Sequence, residues 1–112
     1  VAGLLVALSV LEAGGRVALL ERAERCGGNA AKAVGGICAW GSAVQREHGV
    51  ADSAGSFAED LARGRSEQTE RLRVLCESSG RDLDWLADQV GLKLPVLQRL
   101  RGHAALRLHH AR

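Results

Sequence analysis

Residues 1–41 have the sequence VAGLLVALSVLEAGGRVALLERAERCGGNAAKAVGGICAWG, the most informative pattern in the chain. Its apolar run from Gly3 to Ala13 has helical composition and leads into Gly14-Gly15, a pair typical of a helix C-terminus. Val17–Leu20 is a continuous apolar run, as found in strands covered on both faces of a parallel sheet, and the acid Glu21 follows it. This order predicts a buried helix, a tight turn and a parallel strand, which together form the second half of a β-α-β unit.

The spacing between Gly3 and Glu21 is typical of a dinucleotide site. An acid about 20 residues after a phosphate-binding glycine occupies the ribose-reading position of a Rossmann-type fold. The glycine pairs Gly27-Gly28 and Gly35-Gly36 follow, and glycine lets a backbone approach a bound molecule closely. The first strand and its leading glycines would precede Val1, so the chain is expected to be a fragment of a domain.

The remaining residues are predicted to be mainly helical over 42–95, with a basic segment over 96–112 that periodicity leaves ambiguous. A short helical piece is expected at 29–33, a surface connection at 45–55, and a helix at 56–62 that starts with the capping box Ser56-x-x-Glu59 and is interrupted by Gly64. Apolar residues at helical spacing predict helix over 67–90, divided or bent at Ser79-Gly80 and ended by Gly91.

Composition limits the function classes. The chain has 112 residues, a formal net charge of +2 and three cysteines. This charge gives no case for nucleic acid, and the basic tail is expected to be a solvated end. Without a C-x-x-C motif, the odd cysteine count favours free thiols in a reducing compartment over disulfides or zinc. The apolar start is too short to span a membrane, so a soluble protein is expected. The compartment stays open, with the cytoplasm or mitochondria favoured.

The chain resembles the fumarate reductase family of FAD-dependent flavoproteins, which includes the flavoprotein subunit of succinate dehydrogenase. The family pattern is a leading G-x-G-x-A-G-L, a strand ending L-L-E-K, and G-G-N-S-x-K-A-x-x-G-I-N. Matching segments here are Val1-Ala2-Gly3-Leu4, the run ending at Glu21, and Gly27-Gly28-Asn29 continuing to Ile37. Weaker matches are Trp40-Gly41, Asp52-Ser53, Glu59-Asp60, Asp84-Trp85-Leu86 and Leu100 to His103.

The resemblance implies an α/β fold, namely a partial Rossmann-like FAD/NAD(P)-binding domain that lacks its first strand and is followed by a helical segment. It implies FAD as the cofactor, bound by Gly3, Glu21, Arg22, Gly27, Gly28, Asn29, Lys32, Ala33, Gly35 and Gly36. Gly3 would pack beside the pyrophosphate, Glu21 would accept hydrogen bonds from the ribose, and Gly36 would lie next to the isoalloxazine ring.

The resemblance also implies hydride transfer between the flavin and fumarate or succinate, with the dicarboxylate bound only by the full-length protein. No catalytic residue maps onto this chain, because the family's substrate-binding residues come from later regions. The isolated fragment is therefore expected to be inactive and to bind FAD weakly.

Several positions depart from the family pattern. Ala30 and Cys38 replace polar contacts, and each lost hydrogen bond costs about 0.5–1.5 kcal/mol. Arg101 and His110 replace a glycine and an arginine near the end. The adjacent His109 and His110 point to different sides of any regular element and have no neighbouring carboxylate or cysteine, so no metal site is predicted.

Two alternatives stay open. One is the FAD-binding part of a related flavoprotein of the aspartate oxidase or ketosteroid dehydrogenase type. The other is a non-enzymatic helical binding module whose basic tail touches an acidic partner, for which salt-dependent binding to nucleic acid would be the sign.

Overall fold

The computed structural model describes residues 1–33, 35–63 and 69–111. The chain divides into two compact units, Val1–Val34 and Gly35–Arg112, and each unit is described by itself. No helix within the described ranges is long and apolar enough to cross a membrane.

The first unit contains helix α1, Ala2–Glu12, and a 3₁₀ helix, Gly28–Lys32. Two hydrogen bonds end α1: the Gly14 amide donates to the Leu11 carbonyl at 2.9 Å, and the Gly15 amide donates to the Val10 carbonyl at 2.8 Å. With Gly14 at φ +76°, this is a Schellman motif. The helix end predicted at Gly14-Gly15 is therefore confirmed. The short helical piece predicted near Asn29 is confirmed by the 3₁₀ helix.

The predicted parallel strand at Val17–Leu20 is wrong, because residues 15–20 belong to no helix or strand. A strand is defined by its ladder, and the described part of this unit offers no second strand. The expected burial of α1 is also wrong: none of its residues is buried, and Leu4 is 57% exposed.

The second unit has a three-stranded antiparallel sheet. Its strands are β1, Ile37–Cys38, β2, Val96–Gln98, and β3, Leu108–His110, in the order β1-β3-β2. His109 lies opposite Ile37 on one side and Leu97 on the other. The basic tail from Arg99 onward, expected to be a solvated end, thus supplies the central strand, β3.

Three helices accompany this sheet: α2, Ala43–Glu47, α3, Ala54–Ala62, and α4, Glu70–Val90. The region 45–55 is therefore not simply a surface connection. The capping box at Ser56 is also wrong, because Ser53 caps α3 by accepting a hydrogen bond from the Ser56 amide at 3.0 Å. The expected interruption at Gly64 lies outside the described residues.

Helix α4 is one continuous helix, so the division predicted at Ser79-Gly80 is wrong. A Cβ at Gly80 would lie 2.0 Å from the Trp40 carbonyl oxygen, so this glycine allows close packing of two backbones. Gly91, at φ +65°, ends the helix as predicted.

The core of this unit is small and lies between α3 and α4. Its buried members are Phe57, Leu72 and Cys76, and the half-buried Cys38 and Trp40 pack against them. The Trp40 indole N–H donates to the Cys76 carbonyl, so the segment after β1 is attached to α4.

Candidate cofactor site

An open cleft of about 330 Å³ lies in the first unit. Nine residues line it: Val1, Gly3, Leu4, Leu19, Leu20, Glu21, Cys26, Gly27 and Gly28. Four residues of the predicted cofactor set, Gly3, Glu21, Gly27 and Gly28, therefore come together on one surface. The volume is at the lower end of the roughly 300–1,000 Å³ that is usual for ligand sites, which suits one part of a large cofactor.

The three glycines that line the cleft lie in different local surroundings, which explain why each position has no side chain. A Cβ at Gly3 would lie 3.3 Å from the Leu19 side chain, which is tight packing. Gly27 has φ +126°, and a Cβ there would lie 2.7 Å from the Ala31 Cβ, so only glycine suits this turn. Gly28 has φ +52° with nothing within 4 Å of a Cβ position, so its backbone faces open space.

Glu21 is exposed at the cleft, and one of its oxygens has a structural task. Its Oε1 accepts a hydrogen bond from the Ala23 amide at 2.9 Å, which orients the carboxylate. A carboxylate offers about four acceptor sites, so Glu21 retains capacity for the hydroxyl groups of a ribose.

The other predicted residues do not line this cleft. Asn29 and Lys32 lie on the 3₁₀ helix, where Lys32 Nζ donates to Asn29 Oδ1 at 3.3 Å. Arg22 and Ala33 are exposed residues of the same unit.

Gly35 and Gly36 belong to the second unit. Gly36 has φ +155°, and a Cβ there would lie 2.1 Å from the His109 carbonyl oxygen, so its backbone packs directly on β3. Gly35 has φ +121° and nothing within 4 Å of a Cβ position. The backbone is therefore packed on β3 at Gly36 and has free space beside it at Gly35.

The cleft combines apolar walls from Leu4, Leu19 and Leu20 with a hydrogen-bond acceptor at Glu21 and backbone without a side chain at Gly28. Within the described ranges, no group of three or more histidine, cysteine or acidic side chains could hold a metal ion.

Sequence reasoning missed a buried charge cluster in the second unit. Arg107, expected to carry surface charge, is fully buried and binds Asp52 with two hydrogen bonds, from Nε at 2.7 Å and from NH2 at 2.6 Å. Its NH1 donates to Asp60 Oδ2 at 2.5 Å, and its guanidinium lies 4.8 Å from the Phe57 ring centroid. The family matches at Asp52 and Asp60 were the available signal, but they did not reveal the pairing with Arg107.

The cluster keeps its charges by mutual hydrogen bonding. For Asp60, the Ala104 amide is the largest influence and, with Arg107, lowers the pKa despite burial. For Asp52, burial is the largest single influence and raises the pKa, but hydrogen bonds from Arg107, the Ser53 amide and Gln45 together lower it below the usual range. Both carboxylates are therefore charged near neutral pH.

The comparisons with known proteins identify the chain as a cofactor-binding domain of a flavoprotein. Residues 1–111 match the FAD binding domain family, so the chain belongs to that family and FAD is its cofactor.

The chain is similar to fumarate reductases of two organisms. It is 37% identical over 110 residues to fumarate reductase of Schizosaccharomyces pombe, covering 96% of this chain and 21% of that protein. It is 34% identical over 110 residues to a probable fumarate reductase, Ifc3, of Shewanella frigidimarina, covering 96% of this chain and 18% of that protein.

A solved structure has a similar fold. The open conformation of a flavocytochrome c3 fumarate reductase superposes with a TM-score of 0.79 at 33% identity, over 92% of this chain and 18% of that one. The structure has helices with a small antiparallel sheet, similar to part of a fumarate reductase, and the Rossmann-like detail of the expected α/β fold is not confirmed. The chain spans about a fifth of the length of these relatives.

Proposed function

We propose that this chain is the FAD-binding part of an oxidoreductase that acts on fumarate and succinate. The observation that carries the proposal is the cleft, where Gly3, Glu21, Gly27 and Gly28 meet in a chain similar to fumarate reductases. When bound, FAD supplies the chemistry of hydride transfer.

Each residue of the site has a proposed task in binding. Glu21 accepts hydrogen bonds from the ribose hydroxyls, with its carboxylate oriented by the Ala23 amide. Gly3 and Gly28 leave the backbone bare for the pyrophosphate. Arg22, Asn29, Lys32 and Ala33 also contact the cofactor in this proposal, and Gly35-Gly36 contact its flavin.

The dicarboxylate is bound by the full-length protein, and the residues of this chain have no catalytic task in the proposal. The 112 residues alone are proposed to bind FAD weakly and to be inactive. The exposed apolar side chains of the first unit, Leu4 and Leu20 among them, support this proposal because they form only part of a cofactor-binding surface.

The test replaces Glu21 in the full-length protein. Hydrogen bonds to charged groups contribute about 1.5–3 kcal/mol, and an amide keeps part of the acceptor capacity. We expect Glu21→Gln to raise the Kd for FAD about tenfold or more, measured by flavin fluorescence quenching. Glu24→Gln is the matched control, since Glu24 is exposed and does not line the cleft. An unchanged Kd for Glu21→Gln would contradict the site.

Activity is tested separately from binding. The wild-type full-length protein, supplied with a reduced dye, is expected to oxidise the dye when fumarate is added. Aspartate and a 3-ketosteroid are the competing substrates. Both would be oxidised, so they are supplied with the oxidised dye, which accepts the two electrons. Turnover of one of these instead, with tight FAD binding intact, would assign the chain to one of the related flavoproteins and refute the fumarate assignment.

A further inference from the structure

The imidazole of His109 is fully buried in the central strand β3 and has three polar neighbours. Its Nε2 lies 2.6 Å from Ser42 Oγ. Its Nδ1 lies 2.8 Å from the Arg107 carbonyl oxygen and 3.2 Å from the Ile37 carbonyl oxygen. The ring therefore joins β3 to both ends of the segment 37–42.

These neighbours fix which ring nitrogen carries a proton. Carbonyl oxygens only accept hydrogen bonds, so Nδ1, which faces two of them, is the donor. Ser42 Oγ already accepts a hydrogen bond from the Gln45 amide at 3.0 Å, and its hydroxyl hydrogen is available for Nε2. In this arrangement both ring nitrogens have a hydrogen-bond partner.

The backbone of the same residue contacts the glycine segment. The His109 carbonyl oxygen occupies the space where a side chain at Gly36 would lie, 2.1 Å from its Cβ position. The neighbouring Gly35 has nothing within 4 Å of its Cβ position. The backbone is therefore packed on β3 at Gly36 and has free space beside it at Gly35. His109 thus sets the position of Gly36 through its carbonyl and of Ile37 through its ring.

We propose that His109 is a positioning residue for the flavin. It acts by holding the Gly35-Gly36 backbone at a fixed distance from β3. This inference rests on the proposed function, in which that glycine pair lies at the flavin end of FAD. A shift of the pair would alter the surroundings of the flavin ring without removing any group that touches it.

The experiment compares three substitutions of His109 in the full-length protein loaded with FAD. Asparagine places an amide N–H near the position of Nδ1 and so keeps the donor for the Ile37 carbonyl. Glutamine reaches Ser42 but loses that donor, and leucine loses both. The exposed His48, whose Nδ1 bonds locally to the Val44 carbonyl, provides the control His48→Asn.

The readouts are the visible absorption band of the bound flavin, its change on reduction, and the Kd for FAD. We expect His109→Leu and His109→Gln to shift the band and to raise the Kd about tenfold, the effect of losing one or two buried hydrogen bonds. His109→Asn is expected to keep the wild-type band and a Kd within about threefold, as is His48→Asn.

Two results would overturn the inference. One is a wild-type flavin band in all folded variants, with only their thermal stability reduced, which is the behaviour of a purely structural residue. The other is an equal shift for asparagine and glutamine, which decides the matter even where the leucine variant does not fold. The band requires only bound FAD, so the inference is tested even where fumarate reduction, and with it the proposed function, fails.

Discussion

Replacing Arg107 by methionine tests whether the buried charge cluster holds the second unit together. Arg107 is fully buried, and the side chains of Asp52 and Asp60 are 2% and 1% exposed. Methionine keeps much of the arginine's apolar volume but removes every hydrogen bond and the positive charge. The substitution therefore leaves two carboxylates without their shared cation in a dry environment.

The expected loss of stability follows from the burial of these three side chains. Breaking a buried ion pair by removing one partner costs about 3–5 kcal/mol, because the remaining charge is uncompensated. Here one arginine serves two carboxylates, so we expect the upper half of that range. A tenfold change in an equilibrium corresponds to about 1.4 kcal/mol, so local opening around β3 should become on the order of a thousandfold more frequent.

Hydrogen exchange followed by mass spectrometry measures this opening in the full-length protein. Peptides that contain β3 should exchange about a thousandfold faster in Arg107→Met. Arg63→Met is the control, because Arg63 also pairs with Asp60, at 2.9 Å, but is 64% exposed. Exposed pairs contribute about 0–1 kcal/mol, so its effect should stay below roughly fivefold.

A charge-neutral variant completes the test. Combining Arg107→Met with Asp52→Asn and Asp60→Asn removes the uncompensated charges and should restore much of the protection. An Arg107→Met variant that exchanges within about fivefold of the wild type would refute the reasoning, and so would a triple variant no better than the single one.

The same cluster predicts a pH dependence. The pKa values of Asp52 and Asp60 are lowered in the folded protein, so both groups add stability above their unfolded pKa of about 3.9. That stability is lost as the pH falls through about 4 towards the folded pKa values. The melting temperature should therefore fall below about pH 4 in the wild type and vary less in the triple variant.

Two further predictions concern glycines and cysteines. Gly80→Ala should lower the free energy of unfolding by about 1–3 kcal/mol, measured by urea unfolding, because its Cβ would meet the Trp40 carbonyl. Gly55→Ala is the control: this helical position has free space, so the substitution should be neutral or slightly stabilising. Iodoacetamide should label the exposed Cys26 first and Cys76 last, because burial raises the Cys76 pKa, and saturating FAD should slow labelling of Cys26 at the cleft. Peptide mass spectrometry that finds Cys76 labelled first would contradict this order.

Features set by a few neighbouring residues could be predicted from the sequence. Gly14 and Gly91 end their helices as expected, because a left-handed residue after the last turn is a local requirement. Gly3, Glu21, Gly27 and Gly28, which the family pattern gives in this order, line one cleft, and their contact with FAD stays a prediction.

Features set by distant partners could not be predicted. Gly80 has the local signal of a helix break, but its reason is the Trp40 carbonyl, 40 positions earlier. Arg107 and His109 have the composition of a solvated tail, and their partners at Asp52 and Ser42 are 55 and 67 positions away. Val17–Leu20 has the composition of a strand, but a strand also needs a second strand with which to form hydrogen bonds, and composition does not show whether one is present.

The order of the strands in the small sheet determines when that sheet can form. Among the described strands, the central strand β3 follows β1 and β2 along the chain, and both of them pair with it. During synthesis, neither edge strand has its β3 partner until His110 has left the ribosome, so the sheet closes only after both edge strands have been made. Before that point, helices α3 and α4 can already pack against each other, while Asp52 and Asp60 still lack the Arg107 guanidinium that neutralises them.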